Sequence, residues 1–341
     1  MPVADYKTYC VMLDRARAGR FALPAVNVTS LTTANAVLRG LAESKADGII
    51  QISTGGGAFA SGTTIKDSAV GAISIAEHVH RVAAHYSIYV ALHTDHCLKD
   101  KLEKFVLPLV EETEKRRAAG RPNLFTGHMF DGSNLSLQEN LDISAKLLER
   151  FVKNELVLEI ETGAVGGEED DVVGDHAAKL YTTPEDTLEV ARRLNPIGGR
   201  YLLAATFGNV HGVYKPGHVK LKPKVLKECQ DAVVKAHGEK ARFYLVFHGG
   251  SGSTEEEIHE SLDYGVVKMN VDTDMQYAFT RAVAGHMFKN YDGVLKVDGE
   301  LGSKKVYDPR SYLALAEAAM AERVKQAAAD LRGNGKTIFA S

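Results

Sequence analysis

Cysteine is scarce. The 341-residue chain has three, Cys10, Cys97 and Cys229. An odd, widely spaced set without a Cys-x-x-Cys pair excludes a disulfide framework and predicts a reducing, cytoplasmic compartment. Long apolar runs are missing too: none approaches the roughly 20 residues that span a bilayer. Met1-Pro2-Val3-Ala4-Asp5 has neither the basic nor the apolar region of a signal peptide, so no leader is expected. Charge of one sign is also lacking. The formal net charge is -3, with no basic excess for nucleic acid or an anionic membrane, and no acidic tail. Low-complexity segments and interdomain linkers are absent. An apolar fraction of 45% and a charged fraction of 25% are those of an ordinary globular protein.

What is present is alternation. Short apolar runs at 22–26, 48–52, 88–92, 124–129, 156–160, 201–206, 243–247 and 266–271 are each of strand length. Most are near-continuous Val, Ile, Leu, Ala and Phe, the pattern of a parallel strand covered on both faces. Helical periodicity fills the gaps at 32–45, 67–85, 98–117, 137–151, 184–194, 223–236, 255–262 and 275–288. Thr183-Pro184-Glu185 and Ser253-Thr254 before three glutamates read as helix starts. Further helices are expected at 5–18 and 310–331. Eight strand–helix units in order predict an α/β protein, a TIM (β/α)8 barrel with additional N- and C-terminal helices, as a single domain over 1–341. A doubly wound open sheet should show a Gly-rich turn after its first strand. Here that strand runs into Pro24-Ala25-Val26-Asn27. Residues 163–179 and 290–305 read as longer irregular stretches.

Chemistry in such a barrel lies at the C-terminal strand ends. Those ends carry Asn27, Ser53, His93-Thr94-Asp95-His96, His128 to Asp131, Glu159-Ile160-Glu161, Gly208-Asn209-Val210-His211, His248 and Asn270-Val271-Asp272. A single histidine is most often a hydrogen-bonded core or surface residue. His96, His211 and His248 at three strand ends, each beside glycine or an acid, suggest a three-imidazole metal site with an open position for a substrate oxygen. Cys97 reads better as a small apolar filler than as a ligand or nucleophile. The acids Asp95, Asp131, Glu161, Glu168, Glu169, Asp272 and Asp274 exceed what one site needs. Beside a cation some would be ligands and some general acids or bases. The run from Glu168 to Asp171 follows Gly166-Gly167, and is either a solvated loop or a mobile lid carrying a base.

Two segments resemble phosphate cradles: Gly249-Gly250-Ser251-Gly252-Ser253 after the seventh strand and Asn270-Val271-Asp272-Thr273 after the eighth. Barrels often bind phosphate there, on backbone N–H groups and a helix N-terminus. Lys304, Lys305 and Arg310 are ordinary surface charges or the cations of a second anion site. Together these features point to metal-assisted chemistry next to a carbonyl of a sugar phosphate.

The blocks Leu92-His93-Thr94-Asp95-His96-Cys97, Leu158-Glu159-Ile160-Glu161 to Gly166-Gly167-Glu168-Glu169-Asp170, Phe207 to Gly217, Phe247 to Ser253, Tyr264 to Asp274 and Tyr307-Asp308-Pro309-Arg310 closely resemble the class II fructose-bisphosphate aldolases. They span nearly the whole chain in family order. The resemblance implies reversible cleavage of fructose 1,6-bisphosphate to dihydroxyacetone phosphate and glyceraldehyde 3-phosphate through a zinc-stabilised enediolate. It implies zinc (Zn2+) on His96, His211 and His248, with Asp131, Glu161 and Glu168 able to hold a second or displaced metal. Asp95 matches the acid/base for the C4 hydroxyl, and Glu169 the base at the dihydroxyacetone phosphate carbon. Gly212, Gly249, Gly250, Ser251, Asn270, Asp272 and Thr273 match that substrate's site, around a monovalent cation (Na+ or K+). Asn27, Ser53, Lys304 and Arg310 match contacts to the remaining substrate. In relatives the arginine comes from a neighbouring subunit, so a homo-oligomer, dimer or tetramer, is implied. Val28 stands where many relatives have cysteine, and Thr54 where some have asparagine.

Three rivals stand beside this reading. A tagatose-bisphosphate aldolase would share the metal site and phosphate loops. A metal-dependent hydrolase on the same barrel would need a positioned water and no phosphate cradle. A sugar-phosphate binding protein without catalysis would not need Asp95 and Glu169.

Overall fold

In the computed structural model every one of the eight apolar runs becomes a strand, and the strands hydrogen-bond side by side in parallel until the sheet closes on itself. The structure describes residues 2–163, 166–169, 172–174, 181–211, 221–250, 252–295 and 301–339, with backbone alone at 166–169, 172–174 and 210–211. Its strands are β1 (Leu23–Asn27), β2 (Gly48–Ile52), β3 (Val90–Thr94), β4 (Gly127–Asp131), β5 (Val157–Glu161), β6 (Gly166–Glu169), β7 (Val172–Gly174), β8 (Tyr201–Ala204), β9 (Val210–His211), β10 (Leu245–Phe247) and β11 (Val266–Asn270). The barrel runs β1-β2-β3-β4-β5-β8-β10-β11 and closes where β11 pairs with β1, Leu23 opposite Lys268 and Ala25 opposite Asn270. This is the expected TIM barrel.

Two apolar layers hold it. Outward-facing strand residues such as Ile50, Leu92, Phe130 and Leu158 pack under the surrounding helices. Inward-facing Leu23, Ala25, Ile49, Ala91, Val157, Leu202 and Val246 fill the lower barrel and meet Tyr9, Met12, Leu13 and Ala16 of the N-terminal helix Tyr6–Gly19. That helix lies across the N-terminal end: Ala4 N–H donates to Val90 O at 2.8 Å and Arg200 N–H to the Tyr6 hydroxyl at 3.1 Å. With the bottom plugged, the polar side chains collect at the opposite mouth.

The helix starts read from the sequence are real caps. Thr183 accepts from Asp186 N–H while the Asp186 carboxylate accepts from Thr183 N–H, and Thr254 does the same with Glu257. Such reciprocal caps satisfy two otherwise orphaned backbone donors.

Four expectations need correction. The single helix expected over 98–117 is a 3-10 turn, Lys99–Lys104, followed by the helix Val106–Ala118. Pro108 explains the break: proline is tolerated in a first turn, but deeper in a helix its ring meets the carbonyl four residues back. A helix at Thr54–Ala60 was not expected, since glycine disfavours helix and three of its seven residues are glycine. The 163–179 stretch is not wholly irregular, because β6 pairs antiparallel with β7 and parallel with β9. The barrel strand expected over 201–206 stops at Ala204, and His211 lies on the separate β9.

The C-terminal helix Pro309–Asp330 packs against Leu31–Ser44 through Gly40. A Cβ at Gly40 would lie 2.6 Å from both Ala321 O and Val324 Cβ. Alanine is the better helix former by about 1 kcal/mol, but overpacking costs about 1–3 kcal/mol. Gly40→Ala is therefore expected to lower the urea midpoint without changing the denaturant slope; an equal or raised midpoint would show that the interhelix contact yields freely.

Candidate active site

Strand register puts the polar residues at one level. Asp131 ends β4 directly beside Glu161 at the end of β5. Asp95 and His96 follow β3, His248 follows β10, and Asn27 and Asn270 end β1 and β11. All except Asn27 are buried. Among the described residues, two groups bring candidate ligand atoms within 4.8 Å of one another: Asp95, His96 and His248, and His96, Asp131 and Glu161.

The contacts define each group's orientation. His96 Nδ1 lies 2.8 Å from Asp131 Oδ2 and 3.7 Å from Glu161 Oε2. His248 Nδ1 lies 3.2 Å from Glu161 Oε2, and its Nε2 is 2.9 Å from Glu159 Oε1. The two imidazole rings meet edge to face at 4.7 Å. Asp95 is held from both sides: Asn27 Nδ2 donates to Oδ2 at 2.8 Å and Asn270 Nδ2 to Oδ1 at 3.0 Å. His96 sits at φ +20°, a backbone state rarely adopted by a side-chain-bearing residue and found most often at functional sites.

Electrostatics follow from burial and pairing. Burial opposes charge on Asp131, but His96 and Ser133 hold its carboxyl well below the usual range. Burial likewise opposes charge on His248, yet Glu161 and Glu159 push its pKa up to about 9. For His93 burial, with Lys268 nearby, outweighs the help from Glu159 and draws its pKa down to about 4. Burial also pushes the Cys97 thiol up to about 12, which fits an inert filler rather than a nucleophile.

The remaining site residues divide. Ser53 caps the helix Thr54–Ala60, its hydroxyl accepting from Gly56 N–H at 3.0 Å. Gly249 and Gly252 adopt φ +63° and +88°, left-handed conformations that favour glycine. A Cβ on Gly250 would collide with the Met269 methyl. Asp272 precedes the helix Thr273–Lys289 and accepts from Gln276 Nε2 at 2.7 Å. Lys304 and Arg310 stay on the surface, and the Arg310 guanidinium is engaged by Asp308. Gly212, Ser251 and the side chains of His211, Glu168 and Glu169 lie outside the described residues.

Three residues to which the sequence assigns no role also meet here. Glu159 and Lys268 are buried beneath His248, with Lys268 Nζ 2.9 and 2.8 Å from the two carboxylate oxygens. Asn209 Nδ2 donates to His248 O at 2.9 Å. Two signals were available. Glu159 is two residues before Glu161, hence on the same strand face. Lys268 is a lone charge inside the apolar run Val266-Val267-Lys268-Met269.

Buried imidazoles and carboxylates converging at the C-terminal mouth of a closed parallel barrel define a metal-assisted barrel enzyme. Comparison makes the class specific. A family model described as fructose-bisphosphate aldolase class-II matches residues 7–336. The fructose-bisphosphate aldolase of Mycobacterium leprae (strain TN) is 55% identical, with 100% of both chains covered. The fructose-bisphosphate aldolase class 2 of Escherichia coli (strain K12) is 45% identical over 93% of this chain and 92% of that one. A crystal structure of fructose-bisphosphate aldolase from Campylobacter jejuni superposes with a TM-score of 0.86 at 38% identity, covering 98% of this chain and 97% of that one. The chain belongs to the class II fructose-bisphosphate aldolase family. It is thus an aldehyde-lyase of a metal-dependent family acting on a sugar phosphate. Among the described residues no helix is long and apolar enough to cross a membrane.

The His248 ion pairs carry a pH signature in metal-free protein. Its folded-state pKa, about 9, lies above the ordinary 6.5. The stabilisation is therefore full below pH about 6.5 and is lost as pH rises through about 9. Urea unfolding of metal-free wild type and His248→Asn should show a stability difference that shrinks across that window; a constant difference would mean His248 does not titrate there.

Proposed function

We propose that the chain catalyses reversible aldol cleavage of fructose 1,6-bisphosphate to dihydroxyacetone phosphate and glyceraldehyde 3-phosphate, with zinc held by His96, His211 and His248. The observation that carries this is the convergence of Asp95, His96 and His248 within 4.8 Å at the barrel mouth. Imidazole nitrogens flanked by carboxylates suit zinc, and the left-handed glycines at Gly249 and Gly252 suit a phosphate loop. When bound, the metal supplies a Lewis acid at the substrate's ketone oxygen.

The chain's own residues do the rest. Asp95, oriented by Asn27 and Asn270, accepts the C4 hydroxyl proton as the C3–C4 bond breaks. The aldehyde leaves, and the electron pair stays on C3, conjugated with the C2 carbonyl. Glu169 delivers the proton that C3 then needs, and the same two groups reverse their roles in condensation. Gly212, Gly249, Gly250, Ser251, Asn270, Asp272 and Thr273 bind the dihydroxyacetone phosphate half around a monovalent cation. Asn27, Ser53 and Lys304 bind the other half. Asp131, Glu161 and Glu168 offer a second or displaced metal position.

Arg310 completes the site from a neighbouring copy in a dimer or tetramer. Its own exposed position, and the exposure of Phe288 (81%) and Leu301 (91%) in the same C-terminal region, support an assembly there. We take residues 1–341 as one domain acting in the cytoplasm.

A coupled assay with purified protein tests the reading. Fructose 1,6-bisphosphate should yield triose phosphates, and Asp95→Ala should reduce kcat by about 10²–10⁴-fold. Near-wild-type cleavage by that variant would remove Asp95 from its role. Faster cleavage of tagatose bisphosphate would favour the sibling activity, and release of inorganic phosphate a hydrolase.

A further inference from the structure

We propose that Glu159 and Lys268 form a buried positioning pair that commits His248 to binding the metal through Nδ1. The inference rests on the assignment of His248 as a metal ligand given above. Both residues are fully buried inside the barrel. They stand two positions before Glu161 and Asn270 on β5 and β11, one layer below the mouth. Glu159 Oε1 is shared, 2.9 Å from His248 Nε2 and 2.9 Å from Lys268 Nζ. Lys268 Nζ also lies 2.8 Å from Oε2, so it holds the carboxylate by both oxygens.

A carboxylate on one imidazole nitrogen makes that nitrogen the proton carrier and leaves the lone pair on the other. Both His248 nitrogens face carboxylates, but Glu161, 3.2 Å from Nδ1, is itself in the candidate ligand group, so a metal would displace the proton on Nδ1 while the deeper Glu159 keeps its proton on Nε2. His96 is held the opposite way, with Nδ1 against Asp131 at 2.8 Å. The two rings therefore present different nitrogens to one centre. The nearby His93 does not compete for Glu159: its Nδ1 is 2.8 Å from Thr94 O and 4.0 Å from Glu159 Oε2.

Stability alone does not account for the pair. Desolvating two charges is costly, and an apolar pair of similar volume is often no less stable. Neighbouring interior positions at Val157, Leu202 and Val246 are apolar.

The test uses Glu159→Gln combined with Lys268→Met, which removes both charges together and leaves no unpaired buried ion. With the fold verified by circular dichroism, zinc transfer to a chromophoric chelator should be about 10–100-fold faster than in wild type. The cobalt-loaded double variant should show a changed visible spectrum. In zinc-loaded wild type labelled with nitrogen-15 histidine, His248 should carry its proton on Nε2, a readout that needs no variant. A double variant with wild-type zinc release and cobalt spectrum, or a wild-type His248 protonated on Nδ1, overturns the proposal. Wild-type protein that binds no zinc would bring down the whole site assignment; unchanged variants beside a zinc-binding wild type would bring down the pair alone.

Discussion

Closing eight parallel strands creates an interior too narrow to solvate charges one by one, so an ion placed there needs a counter-ion or hydrogen-bond donors from the neighbouring strands. The chain meets this with one connected series. Lys268 on β11 holds Glu159 on β5, which holds His248 after β10; Glu161 links His248 to His96, and Asp131 on β4 completes it. These residues are distant in sequence and adjacent only because the barrel closes. Beneath them Leu23, Ala25, Ile49 and Val157 form an apolar floor with the N-terminal helix. The polar layer is thus confined to the end where the loops open.

Confinement is what makes the site chemically useful. Asp95 sits beside the imidazoles, and among the described residues its hydrogen bonds come from two amides. It stays oriented while keeping a carboxylate's capacity to take a proton. The glycines after β10 let backbone approach an anion where any other residue would strain or collide. The acid/base Asp95 and the ligand His96 share the end of β3, and His248 and the anion loop share the end of β10, so placing one member of each pair places the other.

Much of this was legible in the sequence, for identifiable reasons. Parallel strands buried on both faces leave continuous apolar runs, and all eight were found. Histidines and acids at the ends of those runs stood out because they interrupt an apolar pattern. Glu159 stands out as part of a strand end and Lys268 is hidden inside an apolar run, but neither has a role in sequence alone; their pairing appears only when β5 and β11 are seen across the barrel. The helix Thr54–Ala60 was hidden by its glycines, and its cap Ser53 read as a strand end. Pro108 is the signal for the split within 98–117, because proline is tolerated in the first turn of a helix and not deeper.

The dependence of cleavage on a bound metal can be measured outright. Fructose 1,6-bisphosphate turnover would be followed in protein of known zinc content, through exhaustive chelation and then zinc restoration. Activity should fall in proportion to the metal removed and return with zinc. Undiminished turnover by protein shown to be metal-free would contradict the role assigned to the buried histidines.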